Sequence, residues 1–135
     1  MDVVKVARLE AAECISFGDL AHYRPLIADG DTPIRTGIQV SEPGYAAPPH
    51  SHPYWEMLLI LDGEAEAWML DEPDRVMALK PGDMIALPPN QAHSFRTVGD
   101  RTMRLLGIHH SPERIVHYLD RETDADGYPI LNDKK

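Results

Sequence analysis

A single cysteine, Cys14, stands among 135 residues, so an internal disulfide is excluded. Cysteine is among the most buried residue types, and Cys14 reads as a small core residue. No run approaches the roughly 20 apolar residues that span a bilayer. The opening "MDVVKVARLEAAECISF" has no apolar core of a secretory signal. With no disulfide framework, the expected compartment is the cytoplasm. Basic residues are also few: 13 Lys and Arg face 22 Asp and Glu, for a net charge of -9. A chain this acidic is repelled by phosphate backbones and anionic membranes, so neither nucleic acid nor membrane is an expected partner. No internal repeat and no low-complexity tract are present.

Twelve prolines and nine glycines break the chain into short pieces. That disfavours long helices and favours short strands joined by turns. "IRTGIQVS" (34–41), "WEMLLIL" (55–61), "AEAWML" (65–70), "RVMAL" (75–79), "MIAL" (84–87), "HSFRTV" (93–98) and "TMRLLGIH" (102–109) read as strands. "ADGDTP" (28–33) separates "LAHYRPLI" from "IRTGIQVS" and reads as a hairpin turn. The Asp62-Gly63 pair between apolar strands is a hairpin signal, which makes "AEAWML" the strand returning beside "WEMLLIL". Strands at this spacing suggest a small barrel or jelly roll. One domain is expected over 1–135. "SPERIVHYLD" (111–120) predicts a short C-terminal helix, with Ser111 as cap and Pro112 in the first turn. "VARLEAAECI" (6–15) reads as a helix or an irregular arm.

In "GYAAPPHSHPYWEMLLILDG" (44–63), His50, His52 and Glu56 are all even-numbered. Side chains alternate faces along a strand, so the three point the same way if Pro53 does not shift the register. Buried imidazoles and carboxylates are costly without partners. A divalent cation removes that cost. A further ligand, His93, follows the rigid "PPN" turn at 88–90, with Phe95 and Thr97 in its phase.

The two stretches resemble the paired motifs of the cupins. The first motif runs glycine, five residues, His-x-His, three residues, glutamate, six residues, glycine, and Gly44, His50, His52, Glu56 and Gly63 fit it. "GDMIALPPNQAHSFRT" is similar to the second, through Gly82, Pro88 and His93. Asn90 replaces its turn glycine and Thr97 its final asparagine. Asparagine tolerates the left-handed backbone that such a turn needs. The resemblance covers roughly residues 36 to 108. It implies an all-β double-stranded β-helix with jelly-roll topology. It also implies a metal site of His50, His52, Glu56 and His93 with open coordination positions. Three nitrogens and one oxygen suit Fe(II), Mn(II), Ni(II), Zn(II) or Cu(II).

The expected function is a metal-dependent enzyme acting on a small oxygen-bearing organic molecule. Dioxygenase, isomerase, lyase and cyclase chemistry all remain open. The alternative is a non-catalytic cupin that binds or senses a small molecule. Regulatory cupins usually add a DNA-binding helix pair, and the segment before the barrel shows no such pattern. Candidate substrate contacts are Gln39, Tyr54, Trp68, Phe95 and Arg104. Trp55 is a second candidate for the mouth. His22, His109, His110 and His117 read as solvated or hydrogen-bonded histidines. Both parities of "WEMLLIL" are apolar, so the outer face of this strand also needs a cover. The N-terminal arm or a second subunit supplies it, and a homodimer is expected.

Overall fold

The computed structural model describes residues 3–131. Within them the chain forms eleven strands, a single 3-10 turn at Leu9–Ala11 and no α-helix. One sheet contains β1 (Ile15–Ser16), β2 (Ala21–Pro25), β3 (Arg35–Ser41), β10 (Met103–His109), β5 (Glu56–Asp62) and β8 (Met84–Leu87), in that spatial order. The other contains β11 (His117–Tyr118), β4 (His50–Ser51), β9 (His93–Val98), β6 (Glu64–Met69) and β7 (Met77–Leu79). From β3 onward the chain changes sheet at nearly every connection. Only β6 and β7 are consecutive partners there. This interleaving closes two antiparallel sheets into a jelly-roll barrel.

Alternation fills the space between the sheets. On β10, Met103, Leu105, Gly107 and His109 are buried while Arg104, Leu106 and Ile108 lie outside them. On β5, Glu56, Leu58 and Ile60 point inward, and on β6 Ala65 and Ala67 do. Met103, Ile60 and Leu105 are the most enclosed of the large side chains.

Several expectations are corrected. Asp62-Gly63 does not close a hairpin, because β5 pairs with β10 and β8 while β6 pairs with β7 and β9. The local turn signal is right, but the chain uses it to cross between sheets. Gly63 sits at φ 71°, where an added Cβ would lie 2.5 Å from the Thr102 carbonyl oxygen. Only glycine fits there.

The C-terminal helix over 111–120 is absent. The backbone groups that a helix would pair internally are bound to the barrel instead. The Ile115 N–H donates to the Tyr54 hydroxyl at 3.2 Å, and the Ile115 carbonyl accepts from His52 at 2.8 Å. The Leu119 N–H donates to the Pro49 carbonyl at 3.1 Å, and β11 pairs with β4. Tertiary contacts override a local propensity of this size.

The arm does not bury Cys14, which is exposed. The arm runs beside β2 and the turn before β3: Lys5 bonds Asp29 and Asp31 at 2.8 and 3.0 Å, and Arg24 donates to the Ala12 carbonyl. No helix among the described residues is long and apolar enough to cross a membrane.

Candidate metal centre

His50, His52 and Glu56 converge, but not from one strand face. His50 lies on β4 in one sheet and Glu56 opens β5 in the other, with His52 in the crossing between them. Pro53 therefore does break the register, and the barrel's curvature restores the convergence. His93 starts β9 directly opposite His50. Asn90 adopts the left-handed φ of 65° expected for the turn, and its N–H donates to the His52 carbonyl at 2.6 Å. The second motif thus holds the first in place.

One ligand atom from each of His50, His52, Glu56 and His93 lies within 4.8 Å of all the others. His52 Nε2 and Glu56 Oε1 are 3.0 Å apart, and His93 Nε2 and Glu56 Oε1 are 3.4 Å apart. All three atoms are buried, yet none makes a hydrogen bond. Orphaned buried polar atoms are rare and costly. Three converging on one point fit a cation between them.

The opposite ring edges are fixed. His50 Nδ1 meets the Pro48 carbonyl at 2.7 Å, His52 Nδ1 the Ile115 carbonyl at 2.8 Å, and His93 Nδ1 the Gln91 carbonyl at 3.0 Å. A carbonyl only accepts, so each Nδ1 carries a proton and each Nε2 is turned inward. This is how metal-binding histidines are oriented. Burial, followed by the neighbouring His93, lowers the His50 pKa to about 3, so the ring stays neutral. Burial works to raise the Glu56 pKa, but the His52 and His109 rings outweigh it and hold the carboxyl well below its ordinary value. Three imidazole nitrogens and one carboxylate oxygen match a divalent transition metal.

His109 is a hydrogen-bonded histidine, one of the two states expected for it, and its partners make it part of the site. Its Nε2 lies 2.9 Å from Glu56 Oε2, and its Nδ1 lies 2.7 Å from the Tyr54 hydroxyl. Burial lowers its pKa, so it is a neutral ring. Its Nε2–H donates to the carboxylate, and Nδ1 accepts from Tyr54. Glu56 is thereby left with Oε1 alone facing the histidines. The signal was available: His109 shares the inward parity of Met103, Leu105 and Gly107, whereas His110 is exposed.

A cavity enclosing about 50 Å³ opens above the ligands. Gln39 and Phe95 line it. Gln39 donates to Ser41 Oγ at 3.0 Å, and Phe95 packs against Tyr45. Tyr54 is buried beneath the site, stacked on His52, and does not line the cavity. Trp68 and Arg104 point away from it. Trp68 lies on the outer side of β6 with Arg96 5.1 Å over its ring, and Arg104 on the outer side of β10. Their strands carry alternating burial, and both fall in the outward phase. Trp55 is half exposed on the outer surface. His22 is half-buried on the outward phase of β2, and His117 is exposed.

The Cupin domain family matches residues 37–109. The chain belongs to the cupins. No curated protein sequence matches it. Among solved structures, this cupin is similar to the polyketide cyclase RemF from Streptomyces resistomycificus, at 22% identity over 93% of this chain and 91% of that one, with a TM-score of 0.72. It is similar to a cupin-like protein from Thermotoga maritima, at 21% identity over 93% and 95%, with a TM-score of 0.67. It also resembles the oxalate decarboxylase of Bacillus subtilis, a protein with Mn(II) centres, at 22% identity and a TM-score of 0.73. That match spans 83% of this chain but only 31% of the decarboxylase. At these identities the likeness concerns the fold.

Proposed function

We propose that this cupin is a metal-dependent enzyme acting on a small, oxygen-bearing organic molecule. The observation that carries the reading is the set of orphaned atoms, His52 Nε2, His93 Nε2 and Glu56 Oε1, facing one point beneath a cavity. His50, His52, Glu56 and His93 would hold the ion, which when bound supplies Lewis-acid or dioxygen chemistry. The chain supplies the rest. Tyr54 and His109 fix the orientation of Glu56. Gln39 offers an amide to a polar substituent, while Tyr45, Phe95, Leu58 and Leu105 form an apolar wall. Tyr118 and Leu131, from the segment after β10, complete the lining. The solved structures of similar fold include a polyketide cyclase and an oxalate decarboxylase, and these names are compatible with the substrate class without selecting the reaction.

Metal analysis of protein purified without added metal, followed by oxygen-uptake screening, tests the reading. Iron together with uptake points to a dioxygenase. Zinc, nickel or manganese without uptake points to lyase, isomerase or cyclase chemistry. Metal that is retained while no compound of this class turns over would reduce the protein to a ligand-binding cupin. Absence of any stoichiometric metal would sink the proposal.

A further inference from the structure

The segment from 111 to 131 carries one side chain that the metal site does not explain. Arg114 lines the same cavity as the four ligands. Its guanidinium carbon lies 4.4 Å from the centre of the Tyr128 ring and 5.9 Å from those of Phe17 and Tyr23. One of its nitrogens donates to the Gly127 carbonyl. Its Nε is buried and has no hydrogen-bond partner.

No carboxylate among the described residues forms an ion pair with Arg114. Among the other arginines, Arg96 is paired with Glu66, Arg101 with Asp62 and Arg121 with Asp120. Arg121, which also lines the cavity, is therefore already neutralised. Arg24 and Arg35, like Arg114, donate to backbone carbonyls and have no ion pair among the described residues. Arg114 is set apart by a buried, unpartnered Nε on a side chain that lines the cavity. Aromatic faces attract a cation, but they do not replace the hydrogen bonds of a buried guanidinium edge.

We infer that Arg114 seats the carboxylate of a compact anionic ligand whose other end reaches the metal centre. The inference deepens the proposed function and rests on it for the identity of the second anchor. The charge count favours an anion. Glu56 is the only carboxylate lining the cavity among the described residues. A divalent ion held by the four ligands, together with the guanidinium, would leave an excess of positive charge against that one carboxylate in an otherwise acidic protein. Guanidinium and carboxylate also match in geometry, since two parallel N–H groups meet two oxygens. The size of the cavity limits the occupant. Drug-sized ligands fill about 300 Å³ or more, and this cavity encloses about 50 Å³. A short monocarboxylate or 2-oxo acid suits it.

The experiment compares wild type with Arg114→Met and Arg114→Lys. The probes are acetate, propionate, pyruvate and 2-oxobutyrate, each set against its primary amide. Calorimetric titration gives affinities, and the shift in melting temperature at a ligand concentration on the order of 10 mM gives an independent readout. The acids should bind wild type and raise its melting temperature, and the amides should do neither. Arg114→Met should weaken acid binding about 10- to 100-fold, the range for losing a charged hydrogen bond. Arg114→Lys should recover part of it. A folded Arg114→Met protein with wild-type metal content and wild-type acid affinity would overturn the inference. So would equal binding of acids and amides, or no binding of any acid to wild type. Metal content is measured separately in each protein. Wild type lacking metal would refute the proposed function, while the comparison between arginine variants would still decide the role of Arg114.

Discussion

At the scale of the residue, His50, His52, Glu56 and His93 are arranged as a preformed site, each ring held by a backbone carbonyl. Alanine at His50, His52 and His93 together should abolish metal binding while the barrel stays folded, as metal analysis and circular dichroism would report. Wild-type occupancy in that triple variant would refute the assignment. The support beneath the ligands is separately testable. His109→Phe frees Glu56 Oε2 and should weaken metal affinity about 10- to 100-fold, the usual range for such supporting contacts. Tyr54→Phe removes the hydroxyl that fixes the His109 tautomer and should weaken it less. Competition with a chelator measures both, and unchanged affinity in His109→Phe would mean that Glu56 needs no support.

The same residues set a pH dependence. His50 takes a proton only near pH 3 in the folded chain, against 6.5 when unfolded. Between these values the unfolded state binds more protons, so stability falls as pH falls. Glu56, with its depressed pKa, acts in the same direction: its contribution is present above the ordinary carboxylate value and is lost as pH drops through the lower one. Metal-stripped protein should therefore show a level melting temperature above about pH 7 and a decline below about 6.5. A melting temperature level down to pH 4.5 would contradict neutral burial of His50. Bound metal should become pH-sensitive over the same window, because protons compete for the imidazoles.

At the scale of the element, glycines separate two kinds of turn. Gly63 and Gly82 both have positive φ, but a Cβ at Gly63 would strike the backbone of Thr102 and Met103, whereas at Gly82 it meets nothing within 4 Å. Gly82→Ala should thus cost only conformational strain, about 1–2 kcal/mol. Gly63→Ala should cost more, at least about 3 kcal/mol, because the sheet crossing must also move. Urea unfolding of the two variants checks the order, and equal losses would show that the contact at Gly63 is relieved cheaply. These two turns also show what a sequence can and cannot convey. The bounds of β8 and β9 follow the runs "MIAL" and "HSFRTV" residue for residue, since alternation and flanking prolines are local signals. The partner of β6 was not legible, because Asp-Gly encodes a sharp turn and not the strand that lies beside the next one. The segment 111–120 failed for the same reason in reverse. Its capping pattern is helical, but Tyr54, His52 and Pro49 bind its backbone groups, and all three are distant in sequence. Likewise the candidate metal ligands were legible from their spacing, while His109 and Arg114 meet neighbours that only the closed barrel assembles.

At the scale of the whole molecule, the outer face of the β10-β5-β8 sheet has no cover within the described chain. Across it run two apolar rows, Ile108–Met57–Ala86 and Leu106–Leu59–Met84, each in register over three strands. Met57 is 38% exposed, Met84 51% and the adjoining Trp55 45%. The arm that offered an alternative cover lies along β2 instead. Contiguous exposed apolar surface of this kind marks an interaction site. A second copy of the same face would be self-complementary about a two-fold axis, with the rows of each sheet meeting those of the other. We therefore expect a homodimer, and light scattering should give a mass near twice the 15.1 kDa chain. Met57→Lys separates the interface from the fold. In a monomer the change is a surface substitution costing about 0.5 kcal/mol or less. At a two-fold interface it buries two like charges, several kcal/mol, and should weaken association more than about 100-fold. The variant should then run as a folded monomer at a concentration where wild type is dimeric. If wild type is itself monomeric at micromolar concentration, or if Met57→Lys remains a dimer, this sheet is not the interface.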